Sequence, residues 1–418
     1  MKKHKYKTKE IKDKTIKTTL LILLSHPFKI VFSINKSNYT GMKQSVNLAE
    51  SKPHYEILDG LRGVAALLVV LFHILEVFSH GDHSKQIINH GYLAVDFFFL
   101  LSGYVISYAY DDRWGKMTLK DFFKRRIIRL HPMIIVGSLI GAILFYFQNA
   151  IGLGWGGISE VPIWKMLLVM IIGCTLIPVG KGLDIRGWSE MHPLNGPAWS
   201  LFYEYIANIV YALFLRRISK IFLSMLVVIA ACVTAHYTLT NPHGDIIGGW
   251  SINPHQLRIG FTRLAFPFLG GMLLAKTAKL KFTKNAFLIS SALLVLFMSI
   301  PRIGGSEHLW MNGLYECFCL MIVFPFIVWL GAGGKVTGKK ASNICKFFGD
   351  ISYPIYITHF PIVYVYMAWV TNNKLTLAQS WHVGLLCVVI SILVAYGSMK
   401  LYDIPVREWL RKRFLTKK

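Results

Sequence analysis

The chain has 418 residues, 54% of them hydrophobic and only 16% charged, with a formal net charge of +25. Its Lys and Arg residues sit in short segments between long apolar runs, as in membrane proteins, and no soluble basic domain is present, which excludes nucleic acid as a partner. The six cysteines (Cys174, Cys232, Cys317, Cys319, Cys345, Cys387) form no CxxC pair and no Cys/His spacing suited to zinc, so they read as packing residues and no metal is expected.

Residues 1–50 differ from the rest. Eight lysines fall among the first seventeen residues, and the apolar patch at 19–24 is too short for a secretory signal. A disordered basic arm attracted to anionic lipid is expected, or untranslated sequence ahead of an alternative start at Met42. The sequons at Asn35 and Asn38 are read as chance.

Apolar segments suited to helices then follow at 57–78, 91–109, 133–149, 162–179, 197–215, 219–239, 258–276, 284–300, 314–331, 351–371 and 380–402. Basic clusters at 113–129, 216–220, 276–284, 335–346 and 407–418 all belong on the cytoplasmic side, and this holds only if one segment before residue 216 fails to cross. Segment 162–179 is assigned that role, because it opens on Pro162, contains Gly173 and ends at Pro178. The expectation is an all-α integral membrane protein with about ten transmembrane helices plus one re-entrant or interfacial helix. One membrane domain covers 54–402, a basic tail covers 403–418, and both termini are cytoplasmic. The outer connections hold Trp188, His192, Asn195, His243, Trp250, His255 and Trp310, a mixture suited to sugars or headgroups as well as to ordinary interfacial aromatics.

Several ionisable residues lie inside these segments. The first carries Asp59, Arg62 and His73; counted along the helix, His73, Asp96, Glu204 and Arg263 each lie roughly 8 to 10 Å from the outer end of their segment. As lone groups the three charged residues of that set would together cost on the order of 8 to 10 kcal/mol, so a shared cavity is expected. In the loop DFFKRRIIRLHP, Arg126 and Arg129 share a helical face while Arg125 points elsewhere, a forked cationic site suited to phosphates as well as a positive-inside flank.

The stretches DGLRGVAALLVVLFH (59–73), VDFFFLLSGYVIS (95–107), RRIIRLHP (125–132), GPAWSLFYE (196–204) and ISYPIYITHFPI (351–362) occur in the order and setting of the acyltransferase-3 family. The chain resembles these integral membrane O-acyltransferases, which include O-antigen and exopolysaccharide O-acetyltransferases, over about residues 54–402. The resemblance implies acyl transfer, commonly of acetyl from acetyl-CoA, to a hydroxyl of a saccharide or lipid-linked glycan outside the bacterial inner membrane. It implies no permanently bound cofactor. His73 matches the family's essential histidine, Arg126 and Arg129 its RxxR pair at the acyl-CoA entrance beside Arg125, Glu204 the glutamate of the WSLxxE-like element, and His359 the histidine of the SYxxYxxH element. Some members carry a fused esterase-like domain after the last helix; with sixteen residues after 402, the stand-alone type is the expectation.

The same residues suit the chemistry directly. An imidazole in a protein cavity can take a proton from an acceptor hydroxyl, so His73 is the candidate base. Asp96 or Glu204 would orient its ring, Arg263 or Ser102 would stabilise the oxyanion, and Trp199 and His359 would line the substrate. An acyl-histidine relay, a proton-coupled transporter and a non-enzymatic protein of the same fold stay open as alternatives.

Overall fold

The computed structural model describes residues 55–415. The basic arm, Met42 and the sequons at Asn35 and Asn38 lie outside the described residues. All eleven apolar segments are helical, and among the described residues there is no β-strand beyond an isolated bridge between Thr283 and Gly334. The helices are α1 (Glu56–Glu76), α2 (Ala94–Tyr110), α3 (Leu119–Leu144), α4 (Ile163–Thr175), α5 (Ala198–Leu213), α6 (Lys220–Thr240) and α7 (Pro254–Thr277). They continue with α8 (Ala286–Ser299), α9 (Leu309–Phe318), α10 (Phe324–Gly333), α11 (Lys339–Asn372), α12 (Leu377–Ser398) and α13 (Ile404–Phe414). Single π turns at Cys319–Val323 and Met399–Asp403 join α9 to α10 and α12 to α13.

By length and apolarity, seven helical stretches of the described residues can cross a membrane. They coincide with seven of the ten crossings expected from the sequence; the other three, on α5, α8 and α11, do not meet that measure. Helix α4 has 13 residues, about 20 Å at 1.5 Å per residue and short of a ~30 Å hydrocarbon core. Helix α8, expected to cross, is nearly as short at 14 residues. Helix α11 is long enough, but its Tyr, Pro and His content dilutes its hydropathy.

Helix α3 begins fourteen residues earlier than the apolar run at 133 suggests. The Thr118 hydroxyl accepts from the Asp121 amide while the Asp121 carboxylate accepts from Thr118, a reciprocal cap that starts the helix before the basic turn. Arg125, Arg126 and Arg129 consequently stand on regular helix. The segment expected to be a plain basic tail at 403–418 is helical over α13, which packs against α3 and brings Lys124 Nζ to the Phe414 carbonyl.

Two close helix pairs position the polar groups. A methyl added at Gly63 of α1 would overlap the Phe348 carbonyl of α11, and one at Gly60 would strike Cys345. Between α2 and α7 the arrangement is reciprocal: Gly103 faces the Phe268 carbonyl and Gly271 faces the Leu100 carbonyl. Small residues let membrane helices approach backbone to backbone, so α1 is set against α11 and α2 against α7 with little play. Pro361 adds a local device in α11. It has no N–H for the Ile357 carbonyl four residues back, and that carbonyl instead accepts from Asn195 Nδ2 at 2.7 Å, tying the 176–197 loop to the helix that carries His359.

Candidate functional site

Two adjoining spaces run through this frame. The first lies where α1 begins and is narrow, about 80 Å³, lined by Arg62, Arg126 and Arg129 with Ser102, Glu204 and an apolar wall that includes Val95, Phe98 and Tyr356. The second lies where α1 ends and is about 620 Å³, within the usual range for small-molecule sites. His73, Glu76, Trp188, Glu190, Trp199, Trp250, Arg263 and Phe360 line it, and it shares Val95 and Tyr356 with the first.

Three arginines and a single carboxylate, Glu204, line the narrow pocket. Arg126 is buried and its Nη2 donates to Glu204 Oε1 at 2.7 Å, while Ser102 Oγ donates to the same oxygen at 3.1 Å. The Nε of Arg126 is buried without a partner among the described residues, so this arginine keeps an unused donor. Arg62 Nη1 donates to Asp59 at 3.1 Å. Arg125 is exposed and does not line the pocket, because one residue turns it about 100° away from Arg126. It stays a surface charge beside the site.

In the wide cavity, the partner of His73 is Glu76. The imidazole Nδ1 lies 2.9 Å from Glu76 Oε2, one helical turn along α1. This corrects the expectation that Asp96 or Glu204 orients the ring. Asp96 is fully buried and is held by Arg263, whose Nη2 donates to it at 2.7 Å and Nε at 3.2 Å. The other Arg263 bonds go to the Gly248 carbonyl at 3.1 Å and the Tyr92 carbonyl at 2.7 Å, so its donors are committed to structure and not to an oxyanion. Ser102 is likewise displaced from that role, since it belongs to the narrow pocket.

The expectation of one shared level also fails for Glu204, for a definite reason. The loop before α5 folds inward and buries Met191, His192, Leu194 and Asn195, so α5 starts within the protein and not at its surface. Gly196, Pro197 and Trp199 therefore reach the wide cavity, while Ser200 and Glu204 fall one level deeper, in the narrow pocket. Trp188 and Trp250 do line the wide cavity; His243, His255 and Trp310 are exposed outside it.

His359 is brought to His73 by the α1–α11 packing. The two rings stack at 5.7 Å between centroids and 28° between planes, and Phe360 sits edge-on to His73 at 4.4 Å. The Nδ1–H of His359 donates back to the Ile355 and Tyr356 carbonyls at 2.9 Å each, which leaves a buried Nε2 with no partner among the described residues.

Sequence reasoning missed Glu76, Arg186 and Glu190. Glu76 was legible as His73-x-x-Glu76, an i,i+3 pair on one helical face; the other two stand in an irregular loop with no periodicity to mark them. Arg186 is buried over the Tyr364 ring at 3.6 Å and donates to Gln148 Oε1 at 2.6 Å. Tyr364 donates to both oxygens of Glu190, at 2.7 and 2.8 Å, and Arg186 lies 3.5 Å away.

Burial pushes the Glu190 carboxyl up to about 7 from 4.5, against the opposing pull of Arg186 and the Tyr364 bond. Because the folded protein holds a proton that the unfolded chain releases earlier, stability falls as pH rises from 4.5 to about 7 and is level beyond it. Glu190→Gln cannot titrate and is expected to lack this slope. Thermal unfolding of the solubilised protein should move in favour of the variant between about pH 5 and pH 8; a difference independent of pH would mean that Glu190 is already charged at the acid end.

A family model described as an acyltransferase domain matches residues 55–399. "Protein 2 in picA locus" of Rhizobium radiobacter is 33% identical over 177 residues, 40% of this chain and 85% of that protein. The O-acetyltransferase OatA of Staphylococcus aureus strain NCTC 8325 is 22% identical over 374 residues, 84% of this chain. The chain spans 57% of the length of that relative. No solved structure matches significantly.

Proposed function

The chain belongs to the acyltransferase-3 family of acyltransferases, and from that premise we propose a membrane O-acyltransferase that moves an acetyl group from acyl-CoA to a hydroxyl of a saccharide or lipid-linked glycan. The observation that carries the reading is the pair of adjoining spaces, one narrow and cationic, the other wide and built around a His–Glu pair. The O-acetyltransferase relative supports acetyl as the group transferred. The bilayer is that of a bacterial inner membrane, with both termini and the Arg126 end cytoplasmic, as the basic clusters favour.

Acyl-CoA acts as co-substrate, and no resident cofactor is invoked. Its phosphates stay on Arg126 and Arg129, with Arg62 behind them, because permanently charged guanidinium forks match phosphate oxygens and a nucleotide is too polar to enter the bundle. The pantetheine arm extends along the narrow pocket and presents the thioester at the wide cavity. The acceptor lies there among Trp188, Trp199 and Trp250.

With Glu76 accepting from Nδ1–H, the other ring nitrogen of His73 is the basic one. It takes the acceptor hydroxyl proton as that oxygen forms a bond to the thioester carbon. Collapse of the tetrahedral intermediate breaks the C–S bond, and the imidazolium returns its proton to the departing CoA thiolate. Glu76 stabilises the imidazolium in between.

Arg129→Ala tests the donor end more cleanly than Arg126→Ala, which would strand Glu204. Loss of one charge-assisted contact, about 1.5 to 3 kcal/mol, should raise KM for acetyl-CoA roughly ten- to a hundred-fold with membrane insertion unchanged. An unaltered KM would return Arg129 to a purely topological role.

A further inference from the structure

The two spaces are separated by a partition that nothing in the mechanism above requires. Val95 of α2 and Tyr356 of α11 line both, with Phe98 and Ser200 on the narrow side. Tyr356 is buried, and its hydroxyl lies 2.7 Å from Ser200 Oγ. Both hydroxyls also reach the Pro197 carbonyl, Ser200 at 3.1 Å and Tyr356 at 3.3 Å. Phe98 packs edge-on against the Tyr356 ring at 5.3 Å and 82°. The ring is thus pinned at its tip by polar contacts and along its side by an aromatic neighbour.

Tyr356 is also one turn before His359, with ring centroids 6.2 Å apart. Val95 and Tyr356 are the residues common to both spaces, so an acyl group that moves from the arginine side toward the stacked His73–His359 pair passes beside them and Phe98. We propose that this partition is the size filter for the transferred acyl group, with Tyr356, latched by Ser200, passing acetyl and discriminating against longer acyl groups. This rests on the transferase reading and adds the residues that set its donor specificity. Acetyl presents one methyl to the partition, whereas butyryl presents two further methylenes to a passage with apolar walls. Apolar pockets discriminate by roughly ten- to two-hundred-fold per methylene, which is enough to exclude butyryl from the product.

The experiment is a competition in isolated membranes carrying the enzyme, with acetyl-CoA and butyryl-CoA supplied together and the glycan-fraction esters sorted by chain length by mass spectrometry. The wild type should give acetyl ester almost alone. Tyr356→Ala should raise the butyryl-to-acetyl ratio roughly tenfold or more, and Ser200→Ala, which loosens the latch and keeps the ring, should raise it less. Val95→Ala widens the same passage from α2 without touching the hydroxyl cluster, so it decides the matter if Tyr356→Ala fails to accumulate. Ratios at the wild-type value in Tyr356→Ala and Val95→Ala, with acetyl ester still formed, would overturn the filter and leave the transferase standing. No enzyme-dependent ester from either donor in the wild type would overturn both.

Discussion

His73→Gln is expected to lower acyl transfer by roughly 10²- to 10⁴-fold, the usual contribution of a positioned general base. Glutamine keeps a polar group near Glu76 and the shape of the site but has no basic nitrogen, so the variant separates proton removal from positioning. The geometry makes the case specific. Nδ1 is committed to Glu76 at 2.9 Å, Phe360 fixes the ring edge-on, and His359 stacks on it at 5.7 Å. Glu76→Gln should lower the rate by less, because the base survives and loses only the carboxylate that holds its tautomer and stabilises the imidazolium. The readout is label moved from acetyl-CoA into membrane glycan, normalised to enzyme present. Near wild-type turnover in His73→Gln would assign the residue to substrate positioning and send the search for a base to His359, whose Nε2 is bare.

The largest effect on stability should come from Asp96. Its carboxylate is fully buried, and the Arg263 guanidinium that holds it is 2% exposed. Removing one member of such a pair strands the other charge where water cannot reach it, at a cost of about 3 to 5 kcal/mol. Asp96→Ala is therefore expected to lose most of its folded population in detergent, with an unfolding temperature far below that of the wild type. Replacing both members by apolar residues, Asp96→Leu with Arg263→Met, removes the stranded charge and should recover much of the loss. The recovered protein would still lack the Arg263 bonds to the Gly248 and Tyr92 carbonyls, so recovery should be incomplete. If the double variant were no more stable than Asp96→Ala, the pair would not be the anchor between α2 and α7 that its geometry indicates.

The places where sequence reasoning succeeded and failed follow from the kind of signal each element carries. Apolar runs located every helix between residues 57 and 402, because lipid demands continuous apolar helix whatever the packing. The start of α3 was hidden, since its first turns are basic, although Thr118 and Asp121 spelled its cap. Arg126 and Glu204 do meet, with Arg129 lining the same pocket, and so do His73 and His359, each pair joining residues far apart in the chain. Counting depth along each segment could not separate those two groups, because the count assumed that every segment starts at one surface and α5 starts inside the protein. The pairing of Asp96 with Arg263 depended on the Gly103 and Gly271 contacts, which no periodicity reveals. Arg186 and Glu190 needed the folded loop itself.

The central claim is that donor and acceptor meet from opposite ends of one membrane domain. Sealed vesicles of known orientation test it most directly, with labelled acetyl-CoA supplied only on the face that exposes the turn at 113–118 and alkali-labile ester counted on glycan at the other face. Wild-type enzyme should label that far glycan, and His73→Gln should not. Equal labelling when the donor is supplied only to the far face, or labelling of glycan on the donor side alone, would contradict the account.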